Sequence, residues 1–317
     1  MTYTVQPWRE QYARHCLPFW KRGIYYFARK PLSWLTRRHL SKENLKKWKP
    51  DYVLPGRGFC LETRRKWALK NKLPHGKTIL VQGTGTGWDV ISWAELHPER
   101  IIASDLYSFE SSWKEIAVYC RTRFSITPEF VQSPLEEMPF LPNESVDFCV
   151  SDAVFEHCKN LPAVLKEAWR VLKPGGYLYA SYGPLWPAPG GDHFSARGKL
   201  EEVYYHLSSD REGYRQFVAK HTKKEEDCQT GARYIELDLF SKLGSQQYLD
   251  YFQQAGFRRD GLVLQISPTA LRFKKTLPGL FLEKVTSLSP TWSEDDLLIF
   301  AHLIRLQKTT YHASPSR

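Results

Sequence analysis

The sequence lacks paired cysteines, a membrane-spanning apolar run and a signal peptide, each of which would assign the protein to a particular class. Its six cysteines, at positions 16, 60, 120, 149, 158 and 228, form no CxxC pair, which argues against a disulfide framework and against a zinc site. No apolar run approaches the roughly 20 residues that cross a bilayer, and the first ten residues lack the apolar segment of a signal peptide. We therefore expect a cytoplasmic protein that binds no metal.

Acidic residues are scarce in the first quarter of the chain. Residues 1–77 hold 19 Lys and Arg against 4 Asp and Glu, a net charge of +15, whereas the other 240 residues carry 26 against 30, a net of −4. The first fifty residues also hold ten aromatic residues. Such a region could cover an acidic substrate, lie on an anionic membrane or bind single-stranded nucleic acid. A fourth interpretation is that the basic region has no binding role: its charges face solvent and its aromatic residues pack on the core.

From Lys77 onward, short apolar strands alternate with helices, which is typical of βαβ units. We predict an α/β fold with a Rossmann-like sheet of seven strands and helices on both faces. Residues 1–76 form a helical extension before the 77–317 domain, which carries an insertion at about 184–243. The predicted strands cover 78–82, 100–105, 129–132, 146–151 and 177–182, with two more near 261–266 and 297–306.

A glycine-rich turn follows the first of these strands. Gly83, Gly85 and Gly87 allow a sharp bend that exposes backbone N–H groups to a ligand. Their G-x-G-x-G spacing differs from the G-x-G-x-x-G of folds that bind the pyrophosphate of NAD. Asp105 ends the next strand, where such folds accept hydrogen bonds from ribose hydroxyls. Each feature alone would suit a plain turn, but together they predict a nucleoside site.

Four ordered segments between residues 77 and 181 resemble the class I methyltransferase domain, in particular the methyltransferase type 11 group. ILVQGTGTG at 79–87 resembles the family's motif I, and IASDL at 102–106 resembles its ribose-binding motif. The stretch from MPF at 138–140 to VDFCVSDAVFEH at 146–157 is similar to the family's "LPF…FDxVxSxxxLEH" segment. EAWRVLKPGG at 167–176 is similar to "ExxRVLKPGG".

The resemblance implies S-adenosylmethionine as methyl donor and S-adenosylhomocysteine as product. Two sites depart from the family, which usually carries an acid where Gln82 stands and an Asp in the adenine loop around Pro134. Asp152 and Ala153 would lie beside the methyl group. The residues that the resemblance places at the cofactor are Gln82, Gly83, Thr84, Gly85, Gly87, Asp105, Leu106, Ser133, Leu135, Asp152 and Ala153.

Two histidines are candidates for the general base that removes a proton from the acceptor. We prefer His193, which lies in a Gly/Pro-rich loop beyond the fifth strand, where this fold places substrate groups. Asp192 beside it would orient the ring and raise its pKa. His157 follows the fourth strand, and its equivalents in the family more often shape the site than perform chemistry.

Three functions stay open. The preferred one is methyl transfer to an O or N atom of a small molecule, sugar-like or a secondary metabolite, with the basic extension as a cap, as N-terminal helices commonly serve in this family. An RNA methyltransferase that uses the basic arm is the second, although the net acidic core counts against it. A non-catalytic scaffold is the third, motivated by Gln82 and Pro134.

Overall fold

Eight strands form one mixed sheet in the computed structural model, which describes residues 8–16, 19–56, 60–70, 74–208, 211–221 and 238–309. The strands are β1 (Tyr52–Pro55), β2 (Thr78–Gln82), β3 (Arg100–Asp105), β4 (Glu129–Gln132), β5 (Val146–Asp152), β6 (Leu172–Tyr182), β7 (Phe257–Ile266) and β8 (Ile299–Lys308). Their order across the sheet is β1-β7-β8-β6-β5-β2-β3-β4. Strand β8 is antiparallel to both neighbours, and the other pairs are parallel.

Helices precede the sheet and cover both of its faces. They are α1 (Trp8–His15), α2 (Phe19–Arg37), α3 (Lys42–Trp48), α4 (Leu61–Leu69), α5 (Trp88–Ala94), α6 (Glu110–Phe124), α7 (Leu161–Val171), α8 (Tyr205–Ser208), α9 (Arg211–His221), α10 (Ser245–Gln254), α11 (Pro268–Thr276), α12 (Pro278–Leu288) and α13 (Glu294–Leu298). Within the described ranges, no helix has the length and apolar character needed to cross a membrane.

Alternation along the strands separates two apolar layers. In β2, Ile79 and Val81 pack with Ile91 of α5 on one face, whereas Leu80 packs with Val164 of α7 on the other. All of these side chains are fully buried, as expected for a parallel strand that is covered on both sides. The loops at the carboxyl ends of β2, β3, β5 and β6 are therefore the part of this layered structure that is available for a site.

The predicted Rossmann-like α/β fold is confirmed, but the sheet has eight strands instead of seven. The additional strand is β1, which comes from the extension that we predicted to be helical and pairs with β7 from Tyr52↔Val263 to Pro55↔Ile266. Prolines at 50 and 55 made this segment look like a connector. An edge strand tolerates a proline, here Pro55 as its last residue, because one of its sides needs no hydrogen-bond partner in the sheet.

Strand β6 also begins earlier than predicted, at Leu172 instead of Tyr177. The Pro174-Gly175-Gly176 segment lies inside the strand, where the register with β5 shifts between Val146↔Leu172 and Phe148↔Tyr177. A bulge of this kind accommodates residues that cannot join a regular ladder. The strand therefore begins before the proline and the glycines, which make its first residues irregular.

A buried carboxylate ties the extension to the C-terminal part of the chain. Asp295 at the start of α13 is 3% exposed and accepts hydrogen bonds from Ser41 N–H (3.0 Å), Ser41 Oγ (2.8 Å) and Asn44 Nδ2 (2.7 Å). Ser41 is the residue before α3, and its hydroxyl also accepts the Asn44 N–H (3.2 Å). One aspartate thus fixes the first turn of α3.

We expect Asp295→Ala to lower the free energy of unfolding by about 2 kcal/mol, because three hydrogen bonds to a charged acceptor are lost. Urea denaturation followed by circular dichroism measures the change. Glu283→Ala is the matched control, since this carboxylate is exposed on α12, and its effect should stay within about 0.5 kcal/mol. Equal effects of the two substitutions would contradict the role of Asp295.

Candidate active site

The structure brings the glycine bend and Asp105 together. Gly85 N–H donates to Asp105 Oδ2 at 2.7 Å, and Tyr107 N–H donates to Oδ1 at 2.9 Å. The bend is also held to β3 by Gly83 N–H, which donates to the Ser104 carbonyl at 2.8 Å. Burial raises the pKa of Asp105, although the backbone donors partly oppose this. The tips of β2 and β3 therefore form one rigid unit.

The three glycines of the bend have different surroundings. A Cβ on Gly83 would lie 2.4 Å from Val154 Cγ2, and one on Gly87 would lie 3.0 Å from Ile116 Cδ1. A Cβ on Gly85 would meet no atom within 4 Å, and this residue has a φ of 53°. Gly83 and Gly87 are thus required by packing, and Gly85 is where a ligand can approach the backbone.

Two buried polar groups beside the bend lack a partner. The Gln82 side chain is 0% exposed, and neither its Nε2 nor its Oε1 has a hydrogen-bond partner among the described residues. Ser151 pairs with Gln82 in the register of β5, and its buried hydroxyl also has no hydrogen-bond partner among the described residues. Unpaired buried amides are costly and rare in proteins. A ligand with donor and acceptor groups would satisfy them.

The predicted adenine-loop residues lie near Asp105. Ser133 N–H donates to the Asp105 carbonyl at 2.9 Å, and the Ser133 hydroxyl donates to the Glu137 carbonyl at 2.9 Å. Leu106 is 50% exposed, whereas Leu135 is 7% exposed and packs in the core. Ser133 and Leu106 are therefore adjacent to the predicted ribose-binding carboxylate, and Leu135 supports the loop from below.

Asp152 at the end of β5 is at the centre of a buried ion-pair cluster. Its Oδ2 lies 2.5 Å from Arg65 Nη1, and its Oδ1 lies 3.5 Å from Arg64 Nη1. Its Oδ1 also accepts from the hydroxyls of Ser181 and Tyr179. Burial raises the pKa of Asp152, but Arg65 and Arg64 outweigh it and hold the pKa below its usual range. The carboxylate that we predicted at the cofactor is thus largely satisfied by the protein.

Helix α4 of the extension supplies both arginines of this cluster. Arg65 is fully enclosed, and its guanidinium lies 4.1 Å from the centre of the Trp93 ring. No feature of the sequence indicated this role specifically, since adjacent arginines in a helix usually face solvent. The only related signal was the net negative charge of residues 78–317, whose buried carboxylates need cations from elsewhere.

A second buried carboxylate lies in the first turn of α5. Thr84, a predicted cofactor residue, donates its hydroxyl to Asp89 Oδ1 at 3.0 Å. Burial, together with repulsion from Asp152, raises the pKa of Asp89 to about 7. Ala153, also predicted at the cofactor, has a φ of 58° and donates its N–H to the Ser181 carbonyl at 2.7 Å. Both predicted residues therefore shape the strand tips through local hydrogen bonds.

Glu156 is the titratable group that the sequence analysis missed. It lies in the 3₁₀ turn Phe155–His157 after β5 and is 3% exposed. Its Oε1 accepts the Gly183 N–H at 3.0 Å, while Oε2 is buried and has no hydrogen-bond partner in the described ranges. Burial raises the pKa of Glu156 to about 8, with a further contribution from Asp152. A carboxyl group in this state can take up or release a proton near neutral pH.

The two predicted histidines lie against each other, with ring centroids 5.0 Å apart. His157 Nδ1 is 2.8 Å from the Leu239 carbonyl oxygen. Burial lowers the pKa of both rings, that of His193 to about 3. A group with so low a pKa is neutral at pH 7 but is a weak base. This environment argues against our preference for His193.

The predicted pairing of Asp192 with His193 is corrected by the structure. The Asp192 carboxylate accepts from Ser195 N–H (2.9 Å), Ser195 Oγ (2.7 Å) and Tyr214 Oη (2.7 Å), and it lies 3.9 Å from His206 Nδ1. The expected rise in the pKa of His193 fails because burial outweighs the nearby charge of Asp192. Asp192 therefore fixes its own loop through an Asx-type turn.

Helix α1 of the extension packs against the outer side of the glycine bend. The Thr86 hydroxyl donates to Gln11 Oε1, and the His15 ring stacks on Trp88 with centroids 4.3 Å apart. Trp8 Nε1 donates to Glu115 of α6 at 2.9 Å. The start of the basic extension is thus in direct contact with the bend. No cluster of His, Cys, Asp and Glu suited to a metal ion occurs in the part of the chain that the structure describes.

Comparisons with known proteins concern the same segment. Residues 80–180 match the family described as methyltransferase domain. A malonyl-[acyl-carrier protein] O-methyltransferase from Yersinia pestis is 33% identical over 106 residues, which cover 33% of this chain and 36% of that protein. A mitochondrial 2-methoxy-6-polyprenyl-1,4-benzoquinol methylase from Schizosaccharomyces pombe is 26% identical over 126 residues, covering 38% and 40%. The chain thus spans less than half the length of these relatives.

Among solved structures, an S-adenosylmethionine dependent methyltransferase from Mesorhizobium loti is similar with a TM-score of 0.46 and 18% identity. The similarity covers 78% of this chain and 99% of that one. The segment matched by the family begins in β2 and ends in β6, so it contains the glycine bend, Asp105 and Glu156. Residues 80–180 therefore form a methyltransferase domain that includes the glycine bend.

Proposed function

We propose that this protein transfers the methyl group of S-adenosylmethionine to an O or N atom of a small acceptor, of a sugar-like or secondary-metabolite kind. The observation that carries the proposal is the 2.7 Å contact between Gly85 N–H and Asp105 at a bend that is open on its Gly85 side. One relative is named an O-methyltransferase, which supports oxygen as the acceptor atom.

The residues present fit the cofactor. The unpartnered amide of Gln82 would hold the methionine part of S-adenosylmethionine. The open backbone at Gly85 leaves room for the part of the cofactor next to it. Asp105 would accept from the ribose hydroxyls with its remaining lone pairs, and Leu106 and Ser133 would border the adenine. When bound, the cofactor supplies an electrophilic methyl group on its sulfonium. The protein then has to align the acceptor and remove its proton.

We assign proton removal to Glu156. Its turn follows β5, and its Oε1 is fixed by the N–H of Gly183, which follows β6. Acceptors bind beyond the carboxyl ends of strands in this kind of sheet, and Glu156, whose Oε2 has no partner among the described residues, lies at that edge. A base with a pKa of about 8 is matched to a reaction near neutral pH far better than His193 with a pKa of about 3.

The extension completes the site in this proposal. Helix α1 contacts the bend through Gln11, and α4 delivers Arg64 and Arg65 to Asp152. We propose that residues 1–76 act as a cap on the 77–317 domain, with 184–243 as an insertion on the acceptor side. No observation at the site favours an RNA methyltransferase. The unsatisfied Gln82 amide counts against a scaffold that has lost its ligand, since such a pocket gains from apolar filling.

Isothermal calorimetry with S-adenosylhomocysteine and the full chain tests the cofactor site directly. We expect Asp105→Ala to weaken binding about 10- to 100-fold, the equivalent of 1–3 kcal/mol for a lost charge-assisted partner. Asp105→Asn should retain part of the affinity, because an amide oxygen can still accept a hydrogen bond. Glu283→Ala serves as the control, and wild-type affinity in Asp105→Ala would remove the ribose assignment.

A second prediction concerns pH. The folded pKa of Glu156 lies above that of the unfolded chain, so its contribution to stability is complete below about pH 4.3 and is lost as pH rises through about 8. Between these values wild-type stability should fall by about 1.4 kcal/mol per pH unit more than that of Glu156→Gln. Urea titrations at several pH values measure this difference.

The same substitution tests the catalytic role. With an accepted substrate, wild-type turnover should rise with pH to a plateau above pH 8, because only the carboxylate form takes the proton. Glu156→Gln should lose about 100-fold or more in turnover and keep its affinity for S-adenosylhomocysteine. Parallel stability curves, or undiminished turnover in the variant, would contradict the assignment, and Glu283→Gln controls for general effects of charge.

A further inference from the structure

Helix α2 packs Leu32 on the sheet but leaves several large apolar side chains exposed. Phe27 is 80% exposed, Trp34 is 75% exposed and Ile24 is 60% exposed. Toward the sheet, the helix also buries the hydroxyl residues Ser33 and Thr36. A surface helix in water normally buries its large apolar residues and exposes its polar ones. Large aromatic side chains left in water on one helix indicate a binding surface.

The buried side of α2 is well attached, so its outward face is fixed. Ser33 Oγ accepts the Val53 N–H of β1 at 2.9 Å, and Arg37 Nη2 donates to the Pro50 carbonyl at 2.6 Å. Arg29 Nε donates to Tyr52 Oη at 3.2 Å. These contacts orient the helix on β1. They leave Phe27 exposed, while Trp34, which is 75% exposed, lies at the rim of a cavity that Asp51 and Asp260 also line.

The exposed apolar residues form one stripe. Five exposed residues recur at intervals of three or four positions, and the last two are adjacent. They are Ile24, Phe27, Pro31, Trp34 and Leu35. This spacing places them along one side of an α-helix. We call these five residues the α2 stripe. It extends over about three turns of the helix.

Within residues 11–42, the charged residues that accompany the α2 stripe are all positive. Residues 11–42 contain eight Lys and Arg and no Asp or Glu. Of these cations, Lys21, Lys30, Arg38 and Lys42 are exposed on the described part of the chain. A helix with an apolar stripe and basic flanks is suited to the boundary between lipid headgroups and acyl chains. Each nearby Lys or Arg adds attraction to anionic lipid.

We propose that α2 docks flat on an anionic membrane surface, with Phe27 and Trp34 inserted at the headgroup level and Lys21, Lys30 and Arg38 facing lipid phosphates. Charge decides between this occupant and a second copy of the chain. Two copies joined through their α2 stripes would bring together two 11–42 segments with eight cations and no acidic residue each, and like charges across an interface oppose association. A membrane rich in anionic lipid supplies the opposite charge.

Vesicle sedimentation with the full chain tests the proposal. We expect binding to phosphatidylcholine vesicles that contain about 30% phosphatidylserine, and at least about tenfold weaker binding to phosphatidylcholine alone. Salt at about 1 M should release most of the protein, because the screening length then falls to about 3 Å. Phe27→Ser and Trp34→Ser should each weaken partitioning about tenfold or more, as expected for loss of a buried aromatic side chain.

Charge and control variants complete the experiment. Lys30→Gln and Arg38→Gln should each weaken binding about fivefold, whereas the control Lys166→Gln, exposed on α7, should bind like the wild type. Leu282→Ser is the apolar control, because Leu282 is 65% exposed on α12. All variants should keep the wild-type thermal midpoint and affinity for S-adenosylhomocysteine, since none of these residues belongs to the site.

Several results would overturn the proposal. These are equal binding to both kinds of vesicle, no vesicle binding at all, or unchanged binding of the two aromatic variants. A dimer in sedimentation velocity that Trp34→Ser dissociates, without vesicle binding, would assign the α2 stripe to a second copy instead. Failure of this experiment leaves the proposed methyl transfer intact, because calorimetry with S-adenosylhomocysteine tests that function separately.

Discussion

The hydrogen bond from Gly85 N–H to the Asp105 carboxylate is the constraint on which the candidate site depends. It joins the tips of two adjacent parallel strands at 2.7 Å and so fixes the bend against the acid. Packing adds to it from below, because Val154 and Ile116 occupy the space that side chains at positions 83 and 87 would need. The bend consequently has a single open side, and its position is set before any ligand arrives.

Three acidic side chains are buried at the tips of the strands and in the elements that follow them. Asp89, Asp152 and Glu156 are all buried, and only Asp152 has arginine partners close enough for ion pairs. Among the described residues, Asp89 and Glu156 have no such ion pair, and burial raises the pKa of each. Because the cations come from α4, the protonation states of the site depend on a helix that lies outside the matched family segment.

Local periodicity was enough to predict most of the sheet. The limits of β2, β3 and β4 agree with the prediction to the residue, because short apolar runs between clear turn signals leave few alternatives. Strand β1 was missed, since a four-residue segment that ends in Pro55 resembles a connector, and its pairing with Val263 to Ile266 makes it a strand. Pairing between residues about 210 positions apart leaves no trace in local sequence.

The parts of the site that are encoded in short local motifs were predicted, and those that depend on contacts between distant segments were not. The glycine bend and Asp105 carry a recognisable spacing, whereas the ion pair of Arg65 with Asp152 depends on how α4 crosses the sheet. The histidine prediction failed in its reasoning about Asp192, because neighbours in sequence point in different directions. A short acidic side chain in a loop bonds the N–H groups two and three residues ahead, as Asp192 does with Phe194 and Ser195.

The edge position of β1 also bears on how far the extension can be separated from the rest. Strand β7 has β8 on one side, and its other side is covered along Val263 to Ile266 by β1 alone. Without residues 52–55, the backbone amides and carbonyls of that apolar segment would be bare toward solvent. Exposed strands of this kind recruit strands from other molecules. Strand β1 thus replaces this edge with one of only four residues, which ends at Pro55 and whose Val53 N–H is bonded to Ser33 of α2.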